Sequence, residues 1–105
     1  MKLTAKHICI LRHTLGLDES PFKRSYRNRY VAGQNHHSRI DLMELVMTRF
    51  MTKRRGGEIF GGSVLFQATY QGALAVLREG ETLCPEDFPE HYSAGIAAFA
   101  QGGAE

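Results

Sequence analysis

The chain of 105 residues is 43% hydrophobic and 23% charged, the length of one domain and the composition of a folded core, which excludes a disordered polymer. No apolar run approaches the ~18 residues that span a membrane. The formal net charge of +2 hides a division: residues 1–55 hold 12 of the 13 Lys and Arg against four acids, a net of +8, and residues 56–105 hold Arg78 against seven acids, a net of −6. Such a split suggests a basic binding face and an acidic tail, or two ends that attract each other in the fold.

The first predicted helix follows Thr4, a good N-cap, with Leu3 and Ile8 placed for a hydrophobic staple. Ile8, Leu11 and Leu15 keep the spacing of one buried face, and Gly16 supplies a left-handed stop. Arg12 and His13 break the N-terminal apolar stretch and no small-residue cleavage site follows, so no signal peptide is expected.

Residues 20–39, SPFKRSYRNRYVAGQNHHSR, set Lys23, Arg24, Arg27, Arg29 and Arg39 around Phe22, Tyr26 and Tyr30. Ser20-Pro21 and Gly33 can bound a short helix over 21–32, with the three aromatics on one face. Tyr26 to Val31 also alternates like a strand, with Arg27 and Arg29 on one side. The helix is the favoured reading, with Tyr26 and Tyr30 turned inward. GQNHH is turn chemistry.

Ser38 opens the next helix, with Asp41 as capping-box partner. Leu42, Leu45, Val46 and Phe50 form its apolar face, and Arg39, Met43, Met47 and Arg49 lie away from it. Phe50 to Arg54 and Ser63 to Ala68 then predict a β-hairpin, punctuated by glycine pairs at 56–57 and 61–62. Thr69 caps a third helix with Ala73, Leu74, Val76 and Leu77 inward and Gly80 at its end. Gly72 inside that helix signals a close packing contact. In the tail, Pro85 can start a short helix with Glu86 and Asp87 at its N-terminus, and SAGIAAFAQGGAE is small and apolar.

Helix, basic segment, capped helix, two-stranded wing, helix is an order that resembles winged helix-turn-helix regulators. Phe50-Met51-Thr52-Lys53-Arg54 and ATYQGALAVL stand where that family has its wing strand and following helix, with Gly72 at a family glycine. Leu11 to Leu17, Tyr26 to Gly33 and Gly61 to Gly72 are also similar to stretches of small phage and prophage proteins. The implied fold is an α+β winged helix-turn-helix-like domain over residues 1–80. It has three main helices and a two-stranded β-hairpin wing, and an acidic, small-residue extension occupies 81–105.

The resemblance implies a phage or prophage regulator in the bacterial cytoplasm that binds duplex nucleic acid. Arg39 at the start of the recognition helix, Lys53, Arg54 and Arg55 at the wing, and Arg24, Arg27 and Arg29 beside them would meet it from one side. A homodimer would suit paired half-sites. The alternative is a modulator that binds a host or phage protein. Met43 and Met47 on an outward helix face suit an adaptable protein surface better than base readout, and Glu81, Glu86, Asp87 and Glu90 could engage an anion-binding channel. No enzyme, metal or cofactor is expected. His36 and His37 are adjacent on a turn and should point apart, His7 and His13 are six apart, and all five histidines read as stray surface groups. Two cysteines form no disulfide framework, which fits a reducing compartment. Cys9 reads as buried, and acids around Cys84 do not favour a thiolate.

Overall fold

Thr4 opens the first helix, α1 (Ala5–Leu15), in the computed structural model, which describes residues 2–33, 36–55 and 63–91. The Thr4 hydroxyl accepts the His7 N–H at 3.1 Å, and His7 Nδ1 accepts the Thr4 N–H at 3.0 Å. This is a reciprocal capping box in which an imidazole stands where Glu or Gln is usual. Gly16, at φ 74, ends the helix as expected. Ile10, Leu11 and Leu15 are buried, with Leu3 and Ile8 partly buried against them. A 3₁₀ turn, Leu17–Glu19, follows.

Residues 21–32 do not form the expected helix. Ser20 Oγ accepts the N–H groups of Phe22 and Arg24, and Lys23 takes the left-handed φ of 54. A helix cannot continue through that conformation. A distant segment then takes over the backbone bonds: Arg24 bridges Thr82, Thr82 N–H donates to Lys23 O, and Ser25 N–H donates to Thr82 O. Ser25 is buried, and its hydroxyl accepts the Cys84 N–H at 2.8 Å. Further on, Tyr26 and Arg29 N–H groups donate to Leu15 O and Thr14 O, satisfying carbonyls at the end of α1. The strand alternative holds only for β1 (Tyr30–Ala32).

β2 (Met51–Arg55) and β3 (Val64–Ala68) form the expected hairpin, and β1 adds to β3, giving an antiparallel sheet in the order β1-β3-β2. The glycine pairs of the connection lie outside the described residues. Register places Met51, Lys53, Phe66, Ala68, Tyr30 and Ala32 on one face and Thr52, Arg54, Leu65, Gln67 and Val31 on the other. The first face carries the core. Asn28 lengthens the sheet by imitating a backbone. Its amide nitrogen donates to Ala68 O at 3.0 Å, and its oxygen accepts the Ala68 N–H at 2.7 Å.

Between β1 and β2 runs α2 (Arg39–Met47). Ser38 is its N-cap but makes no side-chain cap bond, because its φ −97, ψ 10 is not the extended geometry a capping hydroxyl needs. Asp41 faces His7 instead, at 3.8 Å. Leu42 and Leu45 are fully buried, and Val46 and Phe50 partly so. The helix closes with Phe50 N–H on Leu45 O, Arg49 N–H on Val46 O and Arg49 at φ 68, the double bond of a Schellman stop.

α3 (Tyr70–Val76) starts at Thr69, whose hydroxyl accepts the Gly72 N–H at 3.0 Å. The close contact at Gly72 is present: a Cβ there would collide with the carbonyl oxygen of Phe50. Ala73 and Val76 are buried, whereas Leu74 is exposed and the helix ends four residues before Gly80. The boundary drawn at residue 80 does not mark the edge of the core. Leu83 and Phe88 belong to it, and the Phe88 N–H closes a turn over Pro85–Asp87 onto Cys84 O. Residues 92–105, including the small apolar tail, lie outside the described residues. Among the described residues, no helix is long and apolar enough to cross a membrane.

Candidate functional site

Beside β1, which is an edge strand, lies a cleft centred on Tyr30. One side is α1, which supplies Lys6, Cys9 and His13. The other is the turn into α2, which supplies His36 and His37. On one flank of Tyr30 the cleft has a volume of about 280 Å³ and is lined by Arg27, Arg29 and His36. On the other it is about 220 Å³ and lined by Lys6, Cys9 and His37.

Ring contacts build this site. His13 and His36 each meet Tyr30 edge to face, with centroids 5.5 Å apart, and His36 stacks on His37 at 4.4 Å. The two adjacent histidines therefore do not point apart. The Ser38 N–H donates to His36 Nδ1 at 3.0 Å, which fixes that ring and leaves its proton on Nε2. Burial, and then the charges of His37 and Lys6, hold His36 below the usual imidazole pKa. Both effects keep His36 neutral. Cys9, expected inside, is exposed at the rim.

Three permanent cations, Lys6, Arg27 and Arg29, stand around Tyr30. Their carboxylate neighbour is Glu19, which is committed to Arg27 at 3.1 Å and lies 3.8 Å from His13. Arg27 also donates to His13 O from Nε and Nη2, so it clamps the end of α1. The Tyr26 hydroxyl donates to Glu19 at 2.8 Å, and this bond, followed by Arg27, lowers the Glu19 pKa. Arg29 is exposed and makes no such bond among the described residues, leaving its charge available to a ligand.

The remaining predicted cations lie elsewhere. Arg24 is exposed where it bridges Thr82. Lys53 and Arg54 alternate, so they project from opposite faces of the sheet and cannot serve one flat surface. Lys53 Nζ lies 3.8 Å from Met43 Sδ of α2. Arg39 starts α2, and its Nη1 is buried with no hydrogen-bond partner among the described residues. Arg55 ends β2, and its side chain lies outside the described residues. On the outer face of α2, Ile40 is 76% and Met47 79% exposed.

A second cluster joins α1 to α2. His7 is buried, with Nε2 3.0 Å from Glu44 and 3.8 Å from Asp41, and the three ligand-type atoms lie within 4.8 Å. His7 Nδ1 already accepts the Thr4 N–H, so the ring proton sits on Nε2 and is donated to Glu44. A metal-binding imidazole needs the reverse, a free Nε2 lone pair with Nδ1–H as donor. The cluster is thus a helix–helix tie, and His7 is not a stray surface group.

Sequence reasoning had Arg27 and Arg29 but missed Lys6, His13, His36 and His37. They come from two segments, α1 and the turn into α2, that no period or motif links. No family model, curated protein or solved structure matches the chain.

Proposed function

We propose that this is a winged-helix-like protein of phage or prophage type that binds nucleic acid through its phosphates. The observation that carries the reading is the cleft at Tyr30, where, among the described residues, permanent cations and imidazoles outnumber the neighbouring carboxylate of Glu19. The order helix, strand, helix, hairpin, helix supports the fold assignment. The chain departs from it in one respect: a turn, a bridge and a strand precede α2, where the first helix of a helix-turn-helix would lie. With Ile40 and Met47 outermost, α2 offers few groups that pair with base edges, so binding is read mainly from the backbone. A mobility-shift titration of random oligonucleotides at two salt concentrations tests this. Changing Lys6 and Arg29 to Ala should weaken binding and flatten the salt slope by about 0.9 log unit per lost duplex phosphate contact. An unchanged slope rejects the reading.

The exposed Ile40 and Met47, beside Met43, favour a second reading: α2 docks an acidic amphipathic segment of a partner protein. Arg39, Arg49 and Lys53 on or beside this helix supply the complementary charge. Calorimetric titration with an acidic amphipathic helical peptide should give saturable heat that Ile40→Ser with Met47→Ser abolishes. Absence of heat at low salt rejects it.

A further inference from the structure

Residues 20–33, 36 and 37 present their rings to solvent. Phe22 is 85% and Tyr26 53% exposed, His37 is exposed, and Tyr30 and His36 are half-buried at the cleft. The expectation that Tyr26 turns inward fails because that ring lies over Gly16, where any Cβ would strike it. Lys23, Arg24 and Arg29, all exposed, stand between these rings. Arg27 sits over the Tyr26 ring at 5.2 Å while it holds Glu19.

This track is not a loose loop. Backbone bonds to Thr14, Leu15 and Thr82 hold residues 23–29, and the Tyr26–Glu19–Arg27 triangle fixes one ring. An exposed phenylalanine on a held segment adds nothing to the core, and its face is available to a planar partner. Rings interleaved with cations bind a strand whose bases are unpaired, because phosphates meet the cations while bases stack on the rings. A duplex hides its base faces and would leave these rings without partners. The cleft points the same way. At about 280 Å³ it is near the lower end of small-ligand sites, a volume suited to one flat ring and not to a double helix.

We propose that residues 20–33, 36 and 37 form a track for single-stranded nucleic acid, with one unpaired base seated against Tyr30 and His36 and neighbouring bases stacked on Tyr26 and Phe22. This rests on the nucleic-acid reading above and narrows it from any polyphosphate to the unpaired strand.

Fluorescence anisotropy of the full chain tests it with labelled oligo-dT, oligo-U, a duplex and an abasic strand of equal length. The unpaired strands should bind about tenfold or more tightly than the duplex and the abasic strand. Phe22→Ala, which removes only exposed surface, should cost the unpaired strands about fivefold or more and leave the duplex unchanged. Tyr26→Ala should act in the same direction. Equal affinity for duplex and single strand overturns this inference and leaves phosphate binding standing. Equal affinity for abasic and normal strands, or indifference to both ring substitutions, overturns the stacking. No binding to any probe overturns both readings.

Discussion

Gly72 meets the carbonyl of Phe50, and Arg49, one residue before Phe50, holds a left-handed φ of 68. These two positions call for opposite substitutions. At Gly72 the obstacle is backbone, which cannot rotate away, so Gly72→Ala should destabilise the fold by ~2–3 kcal/mol, in the range of overpacked cores. At Arg49 a side chain occupies a conformation that costs an L-residue roughly 1–2 kcal/mol. Glycine removes that cost and adds back part of it as unfolded-chain entropy. Arg49→Gly should therefore stabilise by ~0.5–1 kcal/mol. Urea unfolding of both variants checks the pair, and the opposite sign at either position refutes the account of that position. At this scale the sequence was informative: a glycine in mid-helix is itself the mark of a close approach. The left-handed arginine carried no such mark, since only its place in the Schellman stop demands that φ.

Among the elements, legibility followed how locally each is determined. α1 was readable because its apolar spacing and its two caps, Thr4 and Gly16, lie in or next to the helix, and the hairpin strands were readable within a residue. Residues 21–32 were not. Their apolar spacing fits helix and strand about equally, and what decides is Thr82, nearly 60 residues away, whose backbone takes the bonds of Lys23 and Ser25. β1 likewise depends on a partner, and the Asn28 side chain that docks on Ala68 behaves as backbone, which no propensity scale expresses. The same limit hid the cleft. His13, Tyr30 and His36 are unremarkable alone and become a site only when three elements meet. Histidine also acted in a role that motif reasoning assigns to acids: His7 completes the capping box of α1, and His36 accepts the N–H of Ser38, the N-cap residue of α2.

Across the whole molecule, the split between a basic half and an acidic half is partly consumed inside the fold. Arg12 is buried, donating to both oxygens of Glu81 at 2.6 Å, to Asp18 at 2.8 Å and to Val76 O at 2.8 Å. Glu81, expected to serve a partner, is thus an internal counter-ion. The hydrogen bonds from Arg12, and next the N–H of Arg78, hold its carboxyl down to about 2, against an ordinary 4.5. A depressed carboxylate pKa stabilises the fold at pH values above 4.5, and that stability is lost as pH falls toward 2. Its size is about 3 kcal/mol. Glu81→Gln should lower stability by roughly that amount at neutral pH, and the gap to the unaltered chain should close between pH 4.5 and 2. Chemical melts across this range check it, and a gap that ignores pH would refute it. The contact also ties the basic half to residues 81–88. Without that segment the arginine of the first helix would have no Glu81 beside it, and the core would lack Leu83 and Phe88. A chain cut before residue 81 should therefore lose an internal counter-ion and two core side chains at once, so the short strap governs whether the basic half can fold at all.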